Sequence, residues 1–344
     1  MLKNKIDLIA EDLSKNKEKL ENNKFKSGCL IVKKANLWIE DAKNRPIPNM
    51  LFSELWYENE VCILFSDTNN GKSVLAVQIG ESISRGMPVS GFKLESKPQR
   101  VLYMDFELSD KQFENRYSED YHNHHQFSSN FLRAEIDTEL DIPKNYKGVE
   151  DYLCNTLEDT VKKYNVSVLI IDNLTFLSSE NEKAKDALVL MKTLKKLSKK
   201  LNLSILVLAH TPKRDESKPL TKDHLAGSKM LMNFCDSSFV IGTSSQDYSY
   251  KYIKQIKQRN TEHLYHSENI ILCSIEKTTN FLGFQFISYD EERKHLKTYD
   301  TSDLDERDEQ MKQLISEGLT NVEIGKRLGL SEAGIRKRRK KLGI

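Results

Sequence analysis

The sequence predicts an α/β fold: a mainly parallel sheet with crossover helices, followed by a small all-α unit at the carboxyl end. Three observations carry this expectation. Short, continuous apolar runs alternate with segments of helical spacing from residue 61 to residue 208. Strands buried on both faces and joined by βαβ crossovers read this way. A Gly71-Lys72-Ser73 turn separates the first such strand from the first such helix. Residues 311–344 carry two helix-capping signatures and a cationic run unlike the rest of the chain.

Residues 1–45 are rich in Lys, Asn and Glu and read as a helical or partly ordered lead-in. Arg45-Pro46-Ile47-Pro48 breaks it, because proline denies the helical conformation to the residue before it. The α/β domain is expected over 46–300, an acidic linker over 301–310 and the terminal unit over 311–344. Strands are predicted at Val61–Phe65, Arg100–Met104, Val166–Ile171 and Leu203–Leu208, and helices at Lys72–Ile83, Ser109–Tyr117, Val149–Tyr164 and Ala184–Leu201. Ser109 is placed to cap its helix. Beyond residue 236, Ser238–Ile241, Tyr252–Ile256, Asn269–Ile275 and Phe281–Ile287 read as strands without long helices between them, extending the sheet edge as hairpins.

Lysine and arginine total 53 against 51 aspartate and glutamate, a formal charge of +2. Global charge therefore points to no partner, and only local patterning can. No stretch approaches the ~18 apolar residues of a membrane span, and the start has no apolar signal core. The five cysteines are scattered and form no CxxC pair. A cytoplasmic protein without a membrane partner is expected. Tyr121-His122-Asn123-His124-His125 has no accompanying CxxC or HExxH pattern, so no metal role is assigned to it.

Ser66-Asp67-Thr68-Asn69-Asn70-Gly71-Lys72-Ser73 follows an apolar strand and opens a helix, the context that a GxxxxGK[ST] phosphate loop requires. Backbone N–H groups and the helix N-terminus make an anion nest there. Lys72 would neutralise phosphate charge and the Ser73 hydroxyl would ligate Mg²⁺, so ATP and Mg²⁺ are the predicted cofactors. Ser66 departs from the pattern, standing where the first glycine belongs, and serine penalises a positive φ that glycine tolerates. A chance Gly-Lys-Ser loop is the competing reading. Asp172 ends the strongest strand, and ligands gather at the carboxyl ends of parallel strands. An acid there can hold the water shell of Mg²⁺. Asn173 follows it instead of a glutamate, so the general base must come from elsewhere. Asp105-Phe106-Glu107 ends another predicted strand, Val101–Met104. Glu107 is the candidate base that orients and deprotonates water, Asp105 is the alternative, and a plain surface acid is the remaining reading.

The order is a phosphate loop, a strand ending in glutamate, then a separate strand ending in aspartate. It resembles the RecA/DnaB branch of P-loop ATPases more than the AAA+ branch, where glutamate directly follows aspartate. Tyr103-Met104-Asp105-Phe106-Glu107-Leu108-Ser109 resembles the catalytic-glutamate strand of the hexameric RepA/DnaB-type replicative helicases. Leu208-Ala209-His210-Thr211-Pro212-Lys213 is similar to the polar strand end that RepA-like ATPases set beside the γ-phosphate. Lys257-Gln258-Arg259-Asn260 is similar to the turn by which one subunit reaches its neighbour's ATP. The resemblance spans residues 46–290. It implies a RecA-like core in a homo-oligomeric ring, usually of six, with ATP at the interfaces and single-stranded DNA in the channel. His210 would sense the γ-phosphate, and Lys257 and Arg259, expected on one strand face, would act in trans. Without the resemblance, His210 reads as a hydrogen-bonded strand end and the Lys257–Arg259 pair as a solvated edge. The arginine that the family often carries after the Gly-Ser near Gly227-Ser228 is missing, and no role is transferred there.

The loop Thr211–Asp223, with Lys213, Arg214, Lys218 and Lys222, is long, polar and basic. Channel loops that touch DNA have this profile, and so do plain surface loops. Residues 178–185 are the second candidate. The terminal unit reads as three short helices. Thr320-Asn321-Val322-Glu323 is a capping box, Leu328-Gly329-Leu330-Ser331 a tight turn, and Glu332–Leu342 the last helix. Leu314, Ile315, Val322, Ile324, Leu328, Leu330, Ile335 and Leu342 are the expected core. The unit resembles a helix-turn-helix DNA-binding domain of the resolvase/response-regulator type. From Gly318 onward eight Lys and Arg face two acids, a cationic patch suited to duplex DNA. Arg336, Lys337, Arg338, Arg339 and Lys340 are the candidate contacts. A basic solvated helix or a small protein-interaction module are the other readings. The function expected is an ATP-driven DNA motor, a RepA-like replicative helicase of a mobile element. The alternatives are an ATP-switched site-specific DNA-binding regulator or initiator that does not unwind, and a RecA-like recombination mediator.

Overall fold

The computed structural model describes residues 25–137, 139, 141–146, 149–173, 183–225, 228–298 and 301–344. They divide into two units, one ending at Pro48 and one running from Asn49 to Ile344. In the first, β1 (Phe25–Ser27) and β2 (Leu30–Val32) form an antiparallel hairpin and α1 spans Ala35–Lys43. The hairpin turns at Gly28, whose φ of 57° suits a residue without a side chain. The lead-in is thus a hairpin and a helix over its described part, and residues 1–24 lie outside the described residues.

The second unit opens with a small hairpin, β3 (Met50–Phe52) and β4 (Trp56–Tyr57). The chain then runs β5 (Val61–Ser66), α2 (Lys72–Arg85), β6 (Val101–Asp105), α3 (Asp110–Arg116), β7 (Ser118–Glu119), β8 (Asn123–His124) and β9 (Phe131–Ala134). It continues through α4 (Val149–Lys163), β10 (Val168–Asp172), α5 (Lys183–Leu201), β11 (Ser204–His210), α6 (Ser228–Phe234), β12 (Ser237–Thr243), β13 (Tyr250–Lys257), β14 (Ile270–Thr278) and β15 (Phe281–Asp290). Three helices close the chain: α7 (Thr301–Ser316), α8 (Asn321–Leu328) and α9 (Glu332–Leu342).

Nine strands form one sheet in the order β15-β14-β13-β12-β5-β11-β10-β6-β9. The six from β12 to β9 are parallel, and β13, β14 and β15 add an antiparallel edge. The fold is therefore the expected α/β class with a mainly parallel sheet. Alternation along each strand sends side chains to opposite faces. Val61, Ile63 and Phe65 of β5 join one apolar cluster with α4 and α5, and Cys62 and Leu64 join the other with α2. Burial on both faces is why these strands read as unbroken apolar runs.

Several expectations need correction. β12 pairs parallel with β5, so only the following three strands form the hairpin edge. β9, absent from the sequence reading, is a parallel strand at the sheet margin, and Arg133 interrupts its short apolar run. The acidic stretch 301–310, expected as a linker running into a helix, is itself helical. It is the first part of the sixteen-residue helix α7. In the terminal unit Met311, Ile324 and Ile335 are buried, with Leu314, Ile315, Leu319 and Leu328 packed against them. Val322 is 50% exposed and Leu330 37% exposed, so neither belongs to that core. Of residues 178–185, those before α5 lie outside the described residues. No described helix is long and apolar enough to cross a membrane.

Candidate active site

β5, β11, β10 and β6 are neighbours, and each ends in a polar residue on the same side of the sheet. Ser66 pairs with His210 across β5 and β11, and Asp172 pairs with Asp105 across β10 and β6. The turn from β5 into α2 lies over these ends. Its positive backbone angles fall at Asn69 (φ 64°) and Gly71 (φ 81°). Ser66, at the first-glycine position of the motif, is the last residue of β5, and the strain expected of it falls on these two residues instead. Gly71 is required twice over. Its φ is left-handed, and an added Cβ would sit 2.5 Å from Ile275 Cδ1. Leu75 N closes the first helical bond onto Gly71 O at 2.9 Å. The N–H groups of Lys72, Ser73 and Val74 thus have no intrahelical acceptor, which makes the start of α2 an anion site.

The side chains around this turn form one connected network. Lys72 Nζ donates to Ser66 O and Asp67 O, both at 3.2 Å, and lies 3.1 Å from His210 Nδ1. His210 Nε2 lies 3.0 Å from Asn173 Nδ2, and Asn173 Nδ2 donates to Glu107 Oε1. Glu107 Oε1 and His210 Nε2 are 3.6 Å apart. Burial lowers the pKa of Lys72, and Asp172, Glu107 and Asp67 oppose that shift. The hydrogen bond from His210 holds Glu107 below the usual carboxylate range, so it is ionised at neutral pH. An ionised carboxylate at this place is a proton acceptor for water. Asp105, the alternative base, is engaged elsewhere. Its oxygens accept Arg133 Nε at 3.0 Å and the backbone N–H of Glu107 and Leu108.

Asp172 is 1% exposed. Tyr103 Oη donates to its Oδ2 at 2.6 Å, whereas its buried Oδ1 has no hydrogen-bond partner among the described residues. Burial pushes its carboxyl up to about 6, and the nearby Ser73 hydroxyl pulls it back. A buried carboxylate oxygen left open beside a hydroxyl is the oxygen donor set that suits a hard divalent cation keeping most of its waters. The residues present therefore fit Mg²⁺.

A cavity of about 340 Å³ lies over the loop, lined by Thr68–Val74, Glu107, Arg116 and His210. Arg116 was not found in the sequence. Its Nη1 is buried without a hydrogen-bond partner among the described residues. It ends α3, which Ser109 caps with a full capping box, so the Ser109 signal pointed to the helix but not to the cation at its far end. Asn173, noted in the sequence only for not being a glutamate, is the amide that joins Glu107 to His210.

The remaining candidates lie elsewhere. Arg214 is 6% exposed and its Nε meets Asp67 Oδ2 at 3.0 Å, so it braces the phosphate loop from the side and is not a free channel cation. Thr211 Oγ1 donates to the other oxygen of Asp67. Lys213 is exposed in the loop after β11. Lys257 Nζ donates to Met232 O and to Cys235 O, capping the end of α6, which removes it from the pair expected to act in trans. Arg259 lies beyond β13 instead of on it. Its Nη1 sits 3.2 Å from Asp236 Oδ1, and Asp236 also accepts Val61 N at the start of β5. Arg259 is thus at the opposite end of β5 from its own phosphate loop, ~17 Å away along a six-residue strand. On α9, Arg336, Lys337 and Lys340 are exposed. Arg338 is spent on a two-bond ion pair with Asp308 of α7 at 2.8 and 2.5 Å, and Arg339 Nη1 donates to Asn321 Oδ1 at 2.8 Å. His124 and His125 pair with Glu114 and Glu81.

A mainly parallel sheet carrying a Gly-Lys-Ser loop at one strand end, with an acid at another and a separate glutamate beside them, is the arrangement of a P-loop ATPase. A family model described as AAA domain matches residues 32–216, just over half the chain, and the chain belongs to that family. None of the curated proteins compared matches it. Among solved structures, a KaiC-like protein from the hyperthermophilic archaeon Pyrococcus horikoshii OT3 is similar at 13% identity, covering 67% of this chain and 91% of that chain, with a TM-score of 0.44.

Proposed function

We propose that this ATPase is a DNA-translocating motor, a RepA-like replicative helicase that works as a ring of identical subunits and engages duplex DNA through α7–α9. The observation that carries the reading is the cluster of Lys72, His210, Asn173 and Glu107 in mutual contact around the phosphate loop, with Arg259 held at the far end of the same strand. In this reading the loop N–H groups and Lys72 bind the phosphates of ATP. Ser73 and Asp172 would hold Mg²⁺, which supplies neutralisation of phosphate charge. Glu107 orients the attacking water and accepts its proton. His210 touches both Lys72 and, through Asn173, Glu107, so it registers whether a terminal phosphate is present. Arg259 cannot serve its own loop and serves a neighbour's, where a cation stabilises the charge of the transferring phosphoryl group.

The helix-turn-helix reading of the terminal unit is supported by its caps. Thr320 and Glu323 exchange capping-box bonds at the start of α8, Gly329 ends α8 at φ 67°, and Ser331 caps α9. The α8–Gly turn–α9 arrangement leaves Arg336, Lys337 and Lys340 exposed on the last helix, where they can meet bases and phosphates. The Arg338–Asp308 pair fixes α9 against α7, so Arg338 is a brace and not a contact.

The test is ATP turnover with and without single-stranded DNA, beside strand displacement on a forked duplex. The expected result is DNA-stimulated turnover and unwinding, both abolished by Lys72→Ala. Site-specific duplex binding with no strand displacement would replace the motor by an ATP-switched regulator, and filaments on single-stranded DNA in negative stain would replace the ring by a recombination mediator.

A further inference from the structure

A second cavity, about 230 Å³, opens on the other flank of the phosphate loop. Asp67 and Asn70 of the loop line it together with Arg214, Thr243, Lys251 and Lys297, and the exposed Tyr248 also borders it. We propose that it takes one backbone phosphate of a single-stranded nucleic acid, with an adjoining base stacked on Tyr248. The proposal rests on the DNA-motor reading and assigns a strand contact outside the loop Thr211–Asp223.

Charge accounting carries it. Arg214 is paired with Asp67 at 3.0 Å and Lys297 with Glu216 at 3.8 Å. Lys251 has no such partner. It is 8% exposed, and its Nζ donates to two neutral oxygens, Thr243 Oγ1 at 3.2 Å and Tyr248 O at 2.9 Å, with no carboxylate ion pair among the described residues. Burial lowers its pKa, and no acid opposes the shift. Buried ammonium groups are ordinarily paired. Nη1 of Arg214, which lines the same cavity, is also buried without a hydrogen-bond partner among the described residues. The cavity therefore carries one uncompensated positive charge.

One excess charge selects the ligand. A phosphodiester carries one negative charge and matches it, whereas a nucleoside triphosphate brings several and would leave most of them unpaired. Tyr248 is 77% exposed. An exposed aromatic ring beside a cationic phosphate seat is the pairing by which proteins hold single strands without reading sequence. The seat is wired to the ATPase, because Thr243 Oγ1 donates to Asn70 Oδ1 of the phosphate loop at 2.6 Å while accepting from Lys251. An occupant that draws on Lys251 is thus felt two bonds away by the loop that holds ATP.

The experiment is fluorescence anisotropy of a labelled oligothymidylate on the full chain with a non-hydrolysable ATP analogue, across a salt series. Lys251→Gln is expected to weaken binding about 5- to 10-fold and to make the salt slope shallower by about 0.7, the loss of one single-strand phosphate contact. Lys251→Arg should restore both. Tyr248→Ala should weaken binding about 10-fold with an unchanged slope, because stacking is not ionic. Tyr248 lies on the surface, so that variant keeps the test valid even if Lys251→Gln fails to fold. Wild-type binding that both variants match would overturn the site while leaving the motor reading intact. No wild-type binding to single strands at all would overturn the motor reading itself. Inorganic phosphate that binds wild type, is lost in Lys251→Gln and fails to compete with the oligonucleotide would make this a free-phosphate seat and overturn the strand contact.

Discussion

The two ends of the parallel sheet both collect buried charge, and they treat it in opposite ways. At the amino-terminal end of β5, every carboxylate oxygen is occupied. Glu60 accepts Asn260 Nδ2 at 2.8 Å on one oxygen, and Ser237 Oγ at 2.7 Å and Tyr57 N on the other. Asp236 accepts Arg259 on one oxygen, and Val61 N with Lys195 on the other. At the carboxyl-terminal end, Asp172 Oδ1, Arg116 Nη1 and Arg214 Nη1 are buried without a hydrogen-bond partner among the described residues. Both clusters carry the expense of taking charge out of water. Only one is closed. Closed networks hold a fold together, and open ones await a ligand. The exception in the closed cluster is Arg259, bound to Asp236 yet 53% exposed, and so able to serve a second molecule.

The contrast predicts that substitutions at the open end change chemistry and those at the closed end change stability, with Arg259 crossing over. The largest effect is expected at the crossover. Arg259→Ala should lower DNA-stimulated ATP turnover by about 10³-fold or more, as loss of a phosphate-directed arginine does, with the melting temperature held. Mixing it with a Glu107→Gln protein should restore turnover, since each supplies what the other lacks at a shared interface. If Arg259→Ala turns over normally, Arg259 belongs to the closed cluster alone. Next, Glu107→Gln should cut turnover by roughly 10²- to 10³-fold while nucleotide binding persists, the signature of a lost general base. Loss of nucleotide binding in step with turnover would make Glu107 a binding residue instead.

The third effect is on stability. Burial pushes Glu60 up to about 7, from 4.5. The folded state therefore holds this proton more tightly than the unfolded chain. Its contribution is fully present below about pH 4.5 and is lost as pH rises through about 7, on the order of 3 kcal/mol in all. Melting curves of the wild type should fall across that window, and those of Glu60→Gln should be flatter, with turnover at a fixed pH unaffected. A flat wild-type profile would mean that Glu60 is not desolvated as its 3% exposure indicates. The smallest effect is expected from Arg116→Ala. With no partner for its Nη1, its removal should leave the melting temperature unchanged and weaken nucleotide binding by about 10-fold, the scale of one charge-assisted contact. A drop in stability without loss of affinity would assign Arg116 to the fold.

Much of the sheet was legible because its strands are covered on both faces. Val61–Phe65 and Val166–Ile171 read as strands from apolar runs, and the structure returns them within two residues of the expected ends. The caps were legible for a related reason. Ser109, Thr320 and Ser331 act on N–H groups three residues away, so sequence spacing is the geometry. The strand β9 and the helical character of 301–310 were not, because a marginal strand needs its neighbour's hydrogen bonds and an acidic helix needs its packed partner. The Arg338–Asp308 pair joins residues thirty apart, and no local pattern announces it.

At the site the same division holds. Local sequence determined the phosphate turn: Gly71 for the left-handed backbone, Lys72 for charge, Ser73 for a hydroxyl at the helix start. It also marked Glu107, Asp172 and His210, because each lies at or just past the end of a strand that could be recognised one at a time. Which of these meet, and through what, was left to tertiary structure. Asn173 became the bridge between Glu107 and His210, Arg214 turned from a strand-binding loop toward Asp67, and Lys257 became a cap for α6 while Arg259 stayed exposed. Backbone preference and apolar period act over a few residues and are written in the chain, whereas the partner of a buried charge is set by strand order and register, which only the closed sheet supplies.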